Sequence, residues 1–409
     1  MMRRLLCALL AAVMTFSLAG CGAGTNGSEK GDGGKSAALK AGETKKNSPT
    51  ARSGDENAKP FDKKSVKWVD WTGTVEHLFF HPVVAYPSLA FDGDSEANGI
   101  DDFMVTAGEY EKILQSVYEK GYVLVDINQI WHEGKNAAGA SAMVRSELKV
   151  PEGKKPMVFS FDDVNYYPYM ITNGFTYQLI VGDNGQIWSY GKDPQGKTVY
   201  SQDLDAVTIL DKFCRAHPDF SPTGARGCLS LTGYCGILGY RTQTEKGQTS
   251  AEFEKNRQKE RQAVKPVIRA LKDEGWTFGS HTWGHIRLGG SKSMAEVAQD
   301  TTKWKNEVGS LVGPTDVLFY PHGERPDGDD WHKTGPIFRY LQSQGFRVFC
   351  SVGAESFSYI KKDNCAVICD RMHPDGTTLR HFRNAYLKFY DAKDVMDLKD
   401  RPKRSVGWQ

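Results

Sequence analysis

The chain has 409 residues, and its 52 lysines and arginines nearly balance 50 aspartates and glutamates, leaving a formal net charge of +2. That balance argues against a nucleic-acid-binding surface, which needs a clustered basic excess, and no nucleic-acid partner is expected. Beyond the N-terminus no run is apolar enough for a membrane span, and residues 65–409 suffice for one large α/β domain or two smaller ones.

The first segment is basic at Arg3 and Arg4 and continues as LLCALLAAVMTFSLA, an apolar stretch too short to be a comfortable span. It ends in Leu18-Ala19-Gly20-Cys21, which resembles the lipobox of bacterial lipoproteins. The resemblance implies a signal peptide over residues 1–20, cleavage before Cys21 and a lipid on its thiol. The protein would then be anchored at the extracellular face of the bacterial membrane; an ordinary secretory leader is the alternative. Residues 21–64 are Gly-, Ser-, Lys- and Asn-rich and cannot bury enough apolar surface to fold, so they read as a flexible tether. Six cysteines remain beyond Cys7 and Cys21: Cys214, Cys228, Cys235, Cys350, Cys365 and Cys369. An even number permits disulfides outside the cytoplasm, but runs such as GCLSLTG and RVFCSVG favour buried core thiols with at most one bridge.

From there strand-like and helix-like segments alternate. A strand is expected at 75–86 (VEHLFFHPVVAY), then a helix opened by a Thr106/Glu109 capping box, with Tyr110, Ile113, Leu114, Val117 and Tyr118 on its apolar face. Gly121 closes it before the strand YVLVDI, and PMVFSF at 156–161 is a short buried strand. Residues 165–203 read as an insertion, a β-hairpin turning at Asp183-Asn184-Gly185. A helix at 204–216, the strand GCLSL and a long helix ending at Gly275 follow, then WTFGSHT, a helix around 294–311, DVLFYP, IFRYLQSQGF and RVFCSVG. This rhythm predicts parallel strands with crossover helices, whose C-terminal ends carry function. Four such ends deliver Asp162-Asp163, His281, His322 and His373 to one rim.

In GSHTWGH, His281 and His285 stand four apart; on a helix both imidazoles would face one ion. No acid lies between them, unlike H-E-x-x-H, so the third ligand and the base must come from elsewhere. FSFDDV followed by SHTWGH resembles the polysaccharide deacetylase family, carbohydrate esterase family four, through its motifs T-F-D-D-G and H-[S/T]-x-x-H. The resemblance covers about residues 75–390. It implies a distorted parallel (β/α) barrel carrying the hairpin insertion. It also implies a metal-dependent hydrolase that removes acetyl groups from an N-acetylated or O-acetylated cell-wall or extracellular polysaccharide. By the same resemblance Asp163, His281 and His285 bind the metal and Asp162 is the general base. His373 is the general acid, with His381 as runner-up. Two imidazoles and a carboxylate suit zinc first, with cobalt or nickel also fitting.

The chain departs from the family pattern in three places. Val164 replaces a glycine. Phe319-Tyr320-Pro321-His322 stands where R-x-P-Y is expected, so the base-orienting arginine is missing at Phe319; Arg226 or Arg325 could replace it. Arg371 occupies the place of a leucine two residues before His373. Tyr166, Tyr167 and His322 are candidate substrate contacts, since sugar rings stack on aromatic faces. His81, ending its strand at the same rim, can shape the pocket. Two rival functions remain: a glycan-binding protein on a degenerate catalytic fold, and an amidase acting on another acyl group with the same metal site.

Overall fold

A computed structural model describes residues 59–290, 292–326, 335–361 and 366–408. The leader, Cys21, the tether up to residue 58, and Cys365 therefore lie outside the described residues. Among the described residues no helix is long and apolar enough to cross a membrane.

Besides Tyr122–Leu124, which pairs parallel with Lys155–Met157, seven strands form the parallel core among the described residues: β1 (Glu76–Phe80), β2 (Lys155–Asp162), β3 (Cys228–Leu231), β4 (Thr277–Ser280), β5 (Val317–Phe319), β6 (Val348–Val352) and β7 (Val367–Arg371). They are neighbours in chain order, each pair parallel. The sheet is nearly closed into a barrel. β1 returns to the end of β7 through Phe79 N–H to Met372 O (3.0 Å) and Met372 N–H to His77 O (2.9 Å). The expected distorted parallel (β/α) barrel is thus the architecture of the chain.

Strand alternation sorts the side chains of β2. Met157, Phe159 and Phe161 face outward into the helical layer, while Val158, Ser160 and Asp162 take the other parity and point into the barrel. The outer layer includes α1 (Ala107–Glu119), opened by the Thr106/Glu109 capping box, whose Tyr110, Ile113, Leu114 and Val117 are buried on Phe80, Phe159 and Phe161. It continues with α2 (Ala206–Ala216), α3 (Ala251–Asp273), α4 (Met294–Trp304) and α5 (Pro336–Ser343). At the amino-terminal end, Ile127, Ile130, Met143 and Leu148 pack on Val317, Val348 and Val367, the first residues of β5, β6 and β7. That end is filled, which leaves the carboxyl ends of the strands for function.

The insertion contains the expected hairpin, Gln178–Val181 against Ile187–Lys192, with Gly185 at φ 77°, and a third strand, Thr198–Ser201, extends it. Among the elements not read from the sequence are the hairpin Trp131–Lys135/Ser141–Arg145, the pair Trp68–Asp70/Lys149–Pro151, and Phe357–Ile360, which lies antiparallel to β7. Cys214, Cys228, Cys235, Cys350 and Cys369 are buried free thiols.

Candidate metal centre

Asp162 is the last residue of β2, and its inward parity carries the carboxylate to the top of the barrel. Asp163 then turns into the left-handed region (φ 61°), its N–H donating to Ser230 O at 3.1 Å. Val164, the replaced glycine, has no positive φ and is buried in the main core. The backbone freedom a glycine offers is needed at Asp163 and Tyr166 (φ 55°) instead, so that departure is harmless.

Tyr166 and Tyr167 offer no ring to a sugar, which corrects that expectation. Tyr166 is fully buried and donates its hydroxyl to Asp205 Oδ2 (2.7 Å). Tyr167 is 4% exposed and donates to Asp163 Oδ1 (2.6 Å) while sharing a contact with Thr232 Oγ1 (2.7 Å). Burial, then the charge of Asp163, pushes the Tyr167 hydroxyl well above its ordinary range, so it stays a donor. Its place is to orient a candidate ligand carboxylate, leaving Asp163 Oδ2 for the site.

His281 follows β4 directly. Its Nδ1 donates to Phe319 O (3.0 Å), which leaves Nε2 with a free lone pair, the arrangement by which a metal-ligating histidine is held in one tautomer. Residues 281–285 are not helical, contrary to the geometry expected for a four-residue spacing. Thr282 (φ 59°) and His285 (φ 51°) both sit in the left-handed region, and a tight turn brings the two rings to 4.9 Å between centroids. His285 Nε2 is 3.7 Å from Asp163 Oδ2. Burial, and secondarily His281, lowers the His285 pKa to about 3, so its imidazole is neutral. One donor atom from each of Asp163, His281 and His285 lies within 4.8 Å of the others. Two lone pairs of neutral imidazoles and one carboxylate oxygen, each steadied from behind, fit a divalent cation of the zinc type.

Asp162 is held by a residue the sequence did not nominate. Arg371, ending β7 with no exposed surface, donates Nη1 to Asp162 Oδ1 (2.8 Å) and Nη2 to Oδ2 (2.9 Å). Its guanidinium carbon stands 4.1 Å from the ring centre of Phe79 and 4.7 Å from that of Phe319. Nη1 also reaches Ser160 Oγ (3.0 Å), which in turn meets His77 Nε2 (2.9 Å). Burial pushes the Asp162 carboxyl up, but the charge and hydrogen bonds of Arg371 outweigh it and hold the group well below the usual carboxylate range. The missing arginine at Phe319 is therefore supplied across the barrel. Phe319 fills the vacated space, its ring so close over Gly279 that a Cβ there would meet it at 2.4 Å. Arg226 and Arg325 do not take this role: Arg226 pairs with Asp211 (3.1 Å) and Arg325 with Asp370 (2.7 Å). A usable signal was present, because Arg371 shares the inward parity of Val367 and Cys369, where a charge demands a partner.

The imidazole that reaches the cluster is His81. Its Nε2 lies 3.9 Å from Asp163 Oδ2, and its Nδ1 is 3.0 Å from His373 Nε2. His373 stands behind it, stacked on Phe79 at 4.3 Å, with Nδ1 3.0 Å from Asp375 Oδ2. That last approach is too bent for a well-formed hydrogen bond, yet the buried carboxylate favours a proton on Nδ1. His373 Nε2 then accepts from His81 Nδ1, and His81 Nε2 faces the site. Side-chain exposure agrees, 12% for His81 against 4% for His373. Burial, then the neighbouring His373, lowers the His81 pKa to about 3. His381 is exposed near Gly407, away from this cluster. His322 (φ 58°) packs edge-on against His285 at 4.4 Å and lines the rim.

No protein-family model matches this chain, and no curated protein resembles it in sequence. Among solved structures it is similar to the deacetylase PplD of Streptococcus pyogenes, determined with acetate. That match has 13% identity and a TM-score of 0.39, covering 75% of this chain and 94% of the other. A polysaccharide deacetylase from Bacillus cereus matches at 12% identity and a TM-score of 0.39, covering 79% of this chain and 69% of that one. IcaB from Ammonifex degensii matches at 12% identity and 0.38, covering 75% and 93%. The first two are named as deacetylases, but similarity this remote transfers neither substrate nor mechanism.

Proposed function

We propose that this protein is a metal-dependent hydrolase that removes acetyl groups from an N-acetylated cell-wall or extracellular polysaccharide. One observation carries the proposal. A three-donor cluster, a second carboxylate locked by a buried arginine, and an imidazole backed by a further histidine and an acid all converge on one barrel rim.

A divalent cation held by Asp163, His281 and His285, zinc by donor type, supplies Lewis acidity to an attacking water and an acyl carbonyl. The chain's own groups do the rest. Asp162, kept anionic by Arg371, has its Oδ2 3.9 Å from His281 Nε2, so it is aimed at the same space and can accept a proton from water there. Arg371 prevents that carboxylate from rotating. His81 presents the lone pair of Nε2 to the cluster, where it can take the second proton of the attacking water and return it to the departing amine, while His373 and Asp375 hold its other nitrogen. We assign the acid role to His81, with His373 as the group that positions it. The leader ending in Cys21 supports a lipid anchor, which would keep the enzyme at the extracellular face, within reach of cell-wall glycan.

The test is metal content and acetate release from acetylated chitooligosaccharides and peptidoglycan, with Asp162→Asn and His281→Ala alongside. The hydrolase reading expects metal lost in His281→Ala, and metal kept but acetate release lost in Asp162→Asn. Metal and glycan binding with no acetate release would instead make this a binding protein. Release of a different acyl group would redirect the substrate.

A further inference from the structure

The loop carrying both candidate histidine ligands is built from unfavourable backbone. Thr282 and His285 are side-chain-bearing residues in the left-handed region, and such conformations persist only where the surroundings over-determine them. One helix supplies most of that determination. Asp300 on α4, 8% exposed, accepts the backbone N–H of Trp283 and of Gly284, each at 2.7 Å. Gly284 leaves the room for this, since a Cβ there would come within 3.1 Å of Asp300 Oδ2. Past Trp304, whose indole donates to Leu231 O (2.7 Å), the helix widens into a π turn, Lys305–Gly309. That turn carries Glu307, 7% exposed, which accepts the Trp283 indole N–H at 2.9 Å and Thr244 N–H at 3.1 Å. Its own carbonyl is held by Arg261 Nη1 (2.9 Å). Lys303 Nζ covers the Trp283 ring at 3.3 Å, and the Trp283 carbonyl accepts from Gly233 (2.8 Å) and Tyr234 (3.0 Å). The residue lying between the two histidines is therefore fixed at its amide, its carbonyl and its side chain.

We infer that Asp300, assisted by Glu307, is a positioning residue for the metal centre. It holds the 281–285 turn so that His281 and His285 meet Asp163, and metal affinity depends on it although it supplies no donor atom to the cluster. The inference rests on the metal-centre reading above. A carboxylate is the side chain the turn requires, because two N–H groups on adjacent residues need two acceptor oxygens with no hydrogen between them. Asparagine, of the same size, would face one N–H with its own NH2.

The experiment measures zinc affinity of the full chain by chelator competition, for wild type, Asp300→Asn, Glu307→Gln and His281→Ala. Thermal melting of each metal-free protein is recorded in parallel. Asp300→Asn is expected to weaken zinc binding by about tenfold or more, the range for partners that orient ligands, with Glu307→Gln losing less. A residue of purely structural importance would lower the melting temperature of the metal-free protein and leave affinity unchanged. A folded Asp300→Asn whose affinity falls by less than that overturns the inference. If Asp300→Asn does not fold, Trp283→Phe decides, because it removes the indole contact to Glu307 and leaves the backbone and its bonds to Asp300 intact. Weaker zinc binding then supports the role of the α4 anchor, and unchanged binding overturns it. Wild type without zinc, or zinc retained equally by His281→Ala, removes the metal-centre reading itself.

Discussion

Arg371→Met tests the site where this chain departs most from the family pattern it resembles. The substitution keeps an unbranched side chain between Phe79 and Phe319 but removes the cation from a carboxylate that is only 3% exposed. Deleting one partner of a buried ion pair costs about 3–5 kcal/mol, because the survivor stays desolvated and uncompensated. Two well-aligned hydrogen bonds and the Ser160 contact put this pair in that range. Asp162→Asn leaves Arg371 the uncompensated member and should also destabilise. The double variant should lose less than the two single losses added together, by about 2 kcal/mol, since the pair is removed as a unit. Urea unfolding of the metal-free proteins, followed by circular dichroism, measures all three. Additivity within about 0.5 kcal/mol would refute the coupling and with it the claim that Arg371 holds the base.

Three further outcomes test the acid, a buried carboxyl beside the barrel and the leader. His81→Gln should keep metal yet lose about 100-fold or more in acetate release, with His373→Gln losing less because it acts through His81; equal kcat in His81→Gln and wild type would remove the acid assignment. Burial raises the Asp370 pKa to about 6, above the ordinary carboxylate value, against the opposing charge of Arg325. A raised carboxyl contributes stability fully below its unfolded pKa, and that contribution is lost as pH rises through about 6. Unfolding free energy should therefore fall by about 2 kcal/mol between pH 4 and 7, a component absent from Asp370→Asn when both are titrated by urea melts. Cys21→Ser should move the protein from the membrane fraction to the soluble export and abolish labelling by a fatty-acid probe; continued membrane labelling would exclude a lipid on this thiol.

Much of the site was legible from local pattern. Alternation in FSFDD aimed Asp162 inward, the strand ends marked the rim, and the capping box at Thr106 set where a helix begins. The pairing of Asp163 with His281 and His285 was implied by the family resemblance rather than by any local pattern. Two readings failed for identifiable reasons. Helical spacing was assumed for the two histidines, but Asp300 captures the amides of Trp283 and Gly284 and stabilises a left-handed turn that no periodicity announces. Tyr166 and Tyr167 looked like a sugar platform because aromatic residues beside acids are ambiguous until burial is known.

What the sequence by itself determined is what short-range physics encodes: strand parity, helix starts, the alternation that makes a parallel barrel, and the acids and histidines at its carboxyl rim. What only tertiary structure decided is which groups meet across it. Arg371 reaches Asp162 over 209 residues of chain, and His81 meets His373 over 292, both because β1 closes against the end of β7. A residue's neighbours along the chain constrain its dihedrals, but a buried charge is neutralised by whatever the closed barrel brings within about 3 Å, and that distance belongs to the fold.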